Sequence, residues 1–299
     1  MHVQIAICTW NRAPLLNTTL TAIERLKVPD GWRLQTIVVD NHSTDDTAHV
    51  IEQFADRIDL ITSYEPRQGH SHARNRAIEI ADSDWLIWTD DDVCPDSDWL
   101  AAYDLAIKQY PECAFFGGPI RVRFEGTPPA WIRDNWDKLK GCYAERLLGD
   151  DSLEFTPQRL PYGANWSVRT ELQKGVRYRP GTGRQGHQVV GHDEFGVMRQ
   201  MLEQGYEGRW VPQATVEHRI DSARQTIHYV QRYFQGQGRM LVAENRAWTD
   251  DRRQLERTAR WETWCGRLKR PWTRSDVWLS HLIHGALARG QVEAMKQAG

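Results

Sequence analysis

Three consecutive acids, Asp90-Asp91-Asp92, follow the apolar run Trp85-Leu86-Ile87 and precede a helical pattern. Carboxylates crowded at the end of a strand repel one another unless a cation sits among them, and their hard oxygens suit Mg²⁺ or Mn²⁺. In an α/β sheet the C-terminal ends of the strands are where ligands bind. Asp92 is the candidate direct metal ligand, with Asp90 closer to a ribose or sugar. His218, far downstream in Val216-Glu217-His218, either completes the metal sphere or is a packed histidine.

Three further segments carry candidate chemistry. Asp40 closes a second strand and opens Asp40-Asn41-His42-Ser43-Thr44-Asp45; its carboxylate can accept a base N–H or a ribose hydroxyl, or equally form a turn or cap. Gly69-His70-Ser71-His72-Ala73-Arg74-Asn75 places Gly and Ser at a helix start. Free backbone N–H groups there suit a phosphate, and Arg74 adds a planar fork for anionic oxygens. Gly191-His192-Asp193-Glu194 also precedes a helix. An aspartate at that terminus is either an N-cap or a carboxylate held ionised by the helix dipole, able to act as general base.

The elements that position these residues follow from periodicity. Val3, Ile5 and Ile7 alternate with Gln4, Ala6 and Cys8, which predicts a strand. Pro14 then starts a helix whose apolar positions run through Leu16, Leu20 and Ile23. Strands are expected at Leu34–Val39, Ile58–Ile61, Trp85–Trp88 and Ala114–Phe116, separated by helical segments. That alternation predicts a mostly parallel sheet covered on both faces. Residues 119–190 are rich in Gly, Pro and Trp and read as long substrate-side loops. A helix is expected around Phe195–Leu202, a short strand at Val216, and helices from Thr226 onward.

Bulk properties narrow the class. The chain has 299 residues, 40% hydrophobic and 26% charged, which supports one large α/β domain with an appendage or two modest domains. A net charge of −2 gives no global field that would recruit nucleic acid. The five cysteines form no CxxC pair, so a disulfide framework or zinc knuckle is not expected, and a reducing, cytoplasmic setting is. No basic leader with an apolar core and no run of about 18 apolar residues is present, so neither a standard secretion signal nor a membrane span is expected.

Taken in order, these segments resemble the bacterial family-2 glycosyltransferases (GT2), inverting enzymes of the GT-A fold, over residues 3 to about 240. Thr9-Trp10-Asn11-Arg12 resembles the family's first-strand end, Val38–Asp45 its nucleotide-binding segment, Gly69–Asn75 its Ala-Arg-Asn loop, and Asp90–Asp92 its DXD-type metal motif. Pro161–Asn165 and Gly191–Glu194 resemble the acceptor-side half, and His218-Arg219 with Arg224, Tyr229, Arg232 and Gly236 resembles a trailing bacterial segment.

The resemblance implies a Rossmann-like, mostly parallel GT-A sheet flanked by helices, with a C-terminal helical extension. Residues 1–225 are then the catalytic domain (1–118 the nucleotide-sugar half, 119–225 the acceptor half) and 226–299 the extension. It implies transfer from a nucleotide-sugar, UDP-linked in most members, to a saccharide or lipid-linked saccharide, as in polysaccharide biosynthesis. Thr9, Asn11, Arg12, Asp40, Arg74, Asp90 and Asp91 would contact the donor. Asp92 and His218 would hold Mn²⁺ or Mg²⁺, and Asp193 would be the base. Asn165, Trp166, His192 and Trp131 would face the acceptor, Trp131 and Trp166 offering aromatic faces for sugar rings or else simply packing loops. One departure stands out: His192 occupies the place of a family Glu, which removes that carboxylate's contacts and introduces a group that titrates near neutral pH.

Two other classes share parts of this pattern. A metal-dependent nucleotidyltransferase would want a Gly-rich, basic triphosphate loop after the first strand, which Thr9–Arg12 is not. A non-catalytic nucleotide- or carbohydrate-binding protein would have no use for Asp193 and His218. Finally, residues 252–274 hold eight Arg/Lys against two acids, with Trp261, Trp264 and Trp272 interleaved. That composition fits peripheral contact with the inner face of an anionic membrane, a solvated helical face, or a homodimer contact.

Overall fold

The structure is a computed structural model that describes residues 1–179, 193–249 and 251–298, with the side chains of Asp193 and Ala298 excluded. Its described residues fall into two compact units: 1–123 with 144–179 and 193–219, and 124–143 with 220–249 and 251–298. The segment 124–143, expected in the acceptor half, therefore groups with the C-terminal helices.

In the first unit the chain runs β1 (His2–Thr9), α1 (Ala13–Glu24), β2 (Arg33–Asp40), α2 (Thr47–Phe54), β3 (Leu60–Tyr64), α3 (His70–Ile80) and β4 (Trp85–Asp90). A short β5 (Val93–Pro95), α4 (Trp99–Gln109), β6 (Phe115–Gly117) and β7 (Ile120–Phe124) follow. The seven-stranded sheet has the order β3-β2-β1-β4-β8-β6-β9, where β8 is Asn165–Arg169 and β9 is Gly208–Trp210. Pairs among β1 to β4, and β6 with β9, are parallel, while β8 is antiparallel to both β4 and β6. The expected mostly parallel sheet is therefore present, with one reversed strand.

β8 falls in the segment expected to be loops. Asn165-Trp166-Ser167-Val168 is buried throughout, so it lacks the polar–apolar alternation that marks a half-exposed strand. β1 is covered on both sides as well: Val3, Ile5 and Ile7 join one core cluster and Ala6 the other. Gln4 is fully buried on the second face, where its amide donates to Gln35 Oε1 at 3.2 Å and Asp82 Oδ1 at 2.7 Å. Fully burying each large apolar side chain of this strand contributes about 1.5–3 kcal/mol.

The remaining helix of this unit's middle segment is α7 (Thr170–Gly175), preceded in chain order by α5 (Ala130–Arg133) and α6 (Trp136–Leu139) of the second unit. α8 (Asp193–Glu203) and β10 (Val216–Ile220) complete the first unit's elements, β10 pairing antiparallel with β5. In the second unit, α9 (Ile227–Ala243), α10 (Arg252–Lys269) and α11 (Ser275–Ala298) confirm the expected helical extension.

α9 and α11 cross at two glycines. A Cβ on Gly238 would lie 2.1 Å from the Leu287 carbonyl oxygen, and one on Gly290 would lie 1.9 Å from that of Gln235. Both obstacles are backbone, so neither can rotate away. Gly290→Ala is expected to force the helices apart and cost on the order of 3 kcal/mol, read as a lower denaturation midpoint by circular dichroism. An unchanged midpoint would show that the crossing tolerates a methyl group.

Candidate active site

The strand register gathers the acids on one edge. Thr9 is paired with Asp40 across β1 and β2, and Cys8 with Asp90 across β1 and β4. Asp40 and Asp90 thus end neighbouring strands at their carboxyl ends, the ligand-binding edge of such a sheet. Asp91 and Asp92 lie in the tight turn between β4 and β5.

Loops at this edge are tied to one another by side chains. Asn11 adopts φ 52°, a left-handed conformation Asn tolerates. Its side-chain Oδ1 accepts the Thr44 N–H at 2.7 Å, and its backbone N–H donates to Ser43 Oγ at 2.9 Å. Asp40 Oδ1 accepts the Ser43 N–H at 2.9 Å, so the turn-forming role is realised. Asn41 is buried; its amide donates to the carbonyls of Glu65 and Arg67, and its oxygen accepts the Gly69 N–H. Gly69 has φ 138°, a conformation that side-chain-bearing residues rarely adopt, and it delivers the chain into α3.

The acid triplet divides its labour. Asp91 is buried; its oxygens accept the Thr9 hydroxyl and one Arg12 N–H, both at 2.8 Å, while its carbonyl takes the Thr19 hydroxyl. The same Arg12 nitrogen donates to Asp92 Oδ2 at 2.9 Å. The charge of Asp91, opposed by burial and aided by Asp92, holds the Arg12 guanidinium above its ordinary pKa. Thr9, Arg12 and Asp91, expected to touch the donor, thus form an internal clamp that fixes the β1–α1 turn. The physical reason is that a buried carboxylate requires donors, and these two supply them.

Asp92 and His218 are brought together as expected. Both are buried, and His218 Nε2 lies 3.4 Å from Asp92 Oδ1. β10 carries His218 to this place through its pairing with Val93 of β5. A carboxylate oxygen and an imidazole nitrogen facing one another, beside Asp90 and Asp91 and with the guanidiniums of Arg12 and Arg74 nearby, form a donor set suited to a divalent ion.

Arg74 is not an exposed fork. Its side chain is only 3% exposed, with Nη2 3.9 Å from Asp90 and Nη1 3.4 Å from Glu194 Oε2. Its guanidinium also lies over the Tyr178 ring, 5.0 Å from the centroid. Glu194 Oε1 accepts the Gly163 N–H at 3.1 Å. Glu194 belongs to the Gly191–Glu194 segment but is not among the site residues expected from sequence. It lies one residue after Asp193, which begins α8. His192 and the Asp193 side chain lie outside the described residues.

Two of the expected acceptor-side residues, Asn165 and Trp166, are corrected by their burial. Asn165 is fully buried: its oxygen accepts Trp99 Nε1–H and the Tyr103 hydroxyl, and its amide donates to the carbonyls of Pro119 and Ala214. Trp166 is equally buried, edge-on to Phe115 with ring centroids 6.5 Å apart. Both are core residues because β8 is an interior strand. Trp131 packs on Trp278 within the second unit, centroids 6.0 Å apart, and Trp136 stacks on Tyr143 there.

A mostly parallel sheet with acids and a carboxylate–imidazole pair on its carboxyl edge defines a GT-A protein, and the solved structures it superposes on agree. It matches Staphylococcus aureus TarS 1-349 at a TM-score of 0.55 and 14% identity, covering 100% of this chain and 92% of that one. It also matches the mannosyltransferase PcManGT from Pyrobaculum calidifontis, in complex with GDP-Man and Mn²⁺, at 0.56 and 20%, covering 99% and 75%. The family model for glycosyl transferase family 2 matches residues 4–164, and the chain belongs to that family. It is 30% identical over 197 residues to the succinoglycan biosynthesis protein ExoM of Rhizobium meliloti (strain 1021), covering 61% of this chain and 63% of ExoM. The chain spans less than two thirds of the length of the curated relatives it matches.

Proposed function

We propose that this chain is an inverting glycosyltransferase that moves a sugar from a UDP-sugar to a hydroxyl of a saccharide or lipid-linked saccharide. The observation that carries the reading is the alignment of Asp40 and Asp90 on one strand edge beside the buried Asp92–His218 pair. Asp40 and Asp90 orient the nucleoside and sugar. Asn11 and Asn41 hold the loops around them, and Arg12 fixes Asp92 for its task. Asp92 and His218 would hold Mn²⁺ or Mg²⁺, which when bound offsets charge on the departing diphosphate.

Asp193 takes the proton of the acceptor hydroxyl. The acceptor oxygen bonds to the anomeric carbon from one side as the bond to the diphosphate oxygen breaks on the other. The electron pair leaves with the nucleoside diphosphate, and the anomeric configuration inverts. The part of ExoM in succinoglycan biosynthesis supports a saccharide acceptor, and the complex of TarS with UDP-GlcNAc supports a UDP donor. The five free cysteines support a reducing, cytoplasmic site of action.

Thermal stabilisation by a panel of nucleotide-sugars, with and without Mn²⁺, tests the reading, followed by assay of UDP release. Stabilisation by UTP but by no nucleotide-sugar would replace it with a nucleotidyltransferase. Asp92→Ala is expected to weaken metal-dependent UDP binding at least about tenfold. Calorimetry that finds the parent's UDP affinity independent of metal would remove Asp92 and His218 from that role.

A further inference from the structure

α10 presents an exposed stripe that its own fold does not use. Its buried positions, Leu255, Ala259, Thr263 and Gly266, face α11, where Leu255 and Ala259 cluster with Ala288 and Val292. On the opposite side Trp261 is 61% exposed, Trp264 55% and Leu268 54%, and Trp272 just beyond the helix is 84% exposed. At about 100° per residue, Trp261, Trp264 and Leu268 share one arc with Arg253, Arg257, Arg260 and Arg267. The two indoles lie against each other, ring centroids 5.4 Å apart, forming a continuous apolar ridge bordered by guanidiniums.

The charge on this stripe is uncompensated. Among the described residues, Arg253, Arg257, Arg260 and Arg267 make no ion pair. The helix's acids are engaged elsewhere: Glu256 with Arg252 and Lys296, and Glu262 with His281 at 2.6 Å. An anionic surface would therefore meet positive charge and apolar rings together. Tryptophan settles at the boundary between head groups and acyl chains, and arginines flanking it reach the phosphates. No described helix is long and apolar enough to cross a membrane.

We propose that the exposed stripe of α10, continued by Trp272, docks the protein on an anionic lipid bilayer. This inference does not depend on the donor chemistry. The test is co-sedimentation of the full chain with phosphatidylcholine vesicles and with mixed phosphatidylcholine–phosphatidylglycerol vesicles. The parent is expected to partition onto the mixed vesicles, more weakly as salt rises, and poorly onto neutral ones. Arg257→Gln/Arg260→Gln should reduce partition by roughly fivefold per charge. Trp261→Ser/Trp264→Ser should reduce it by about tenfold or more. These side chains are exposed, so both variants should keep the parent's circular dichroism melt.

Absence of parent binding to mixed vesicles would overturn the proposal, as would equal binding to neutral ones or partition unchanged in both variants. A parent dimer that Trp261→Ser/Trp264→Ser dissociates, with no vesicle binding, would assign the stripe to a second copy instead.

Discussion

Asp193→Asn is expected to reduce turnover by about 10²–10⁴-fold while leaving affinity for the nucleotide-sugar largely intact. The proposed reaction needs a base only for the acceptor hydroxyl, and asparagine keeps the size of aspartate while losing its proton affinity. The proposed donor contacts lie on the edge formed by β1, β2 and β4, a different part of the sequence. Calorimetry with UDP, alongside transfer assays, separates the two effects. A variant with near-parental transfer would displace Asp193 as base. One that also loses donor binding would mean that the substitution disturbs the start of α8 rather than proton transfer alone.

How much of this was legible in the sequence depends on where each signal resides. β1, β2 and β4 announce themselves because central parallel strands are apolar runs with turn signals at each end. The acid triplet is equally visible, and its position after an apolar run placed it on the correct edge. What sequence could not assign was the division of labour within it. Asp91 and Asp92 differ by one position, yet one is turned toward Thr9 and Arg12 and the other is shared between Arg12 and His218. A one-residue step in a tight turn redirects a side chain, and no spacing rule records that.

β8 was hidden for a different reason. Its pairing with β4 and β6 is long-range, and its residues are all buried, so no periodicity sets it apart from a Trp-containing loop. The family resemblance implies that Asn165 and Trp166 face the acceptor, whereas this interior strand buries both. Asn165 illustrates the general difficulty: a polar residue beside aromatics reads as a binding feature, while here its amide satisfies four groups inside the core. Arg74 and Glu194, by contrast, left a usable signal. Arg74 shares an i, i+3, i+4 stripe with Ala77 and Ile78 on α3, and Glu194 shares one with Val197, Met198 and Met201 on α8, all buried. A charge placed on an apolar stripe must find a partner, and these two stripes supply opposite charges.

That pairing sets the second large expectation. Glu194→Gln should destabilise the protein by about 3 kcal/mol, because it leaves the buried Arg74 guanidinium facing a neutral amide in place of a carboxylate. The substitution preserves shape and can still accept the Gly163 N–H, so the loss reports charge rather than volume. Exposed ion pairs such as Lys27–Asp98, with both side chains 71% exposed, should cost well under about 1 kcal/mol when broken. The double variant Arg74→Gln/Glu194→Gln should recover much of the loss, since removing both charges leaves two amides able to hydrogen-bond. Denaturant unfolding of the four proteins in the cycle measures the coupling. Because Glu194 follows Asp193 and joins the first turn of α8 to α3 and to Gly163, the single variant should also lower kcat with little change in donor KM. Stability that falls with kcat preserved would confine the pair to scaffolding. Stability unchanged in both single variants would mean that solvent or neighbouring groups already compensate the charge.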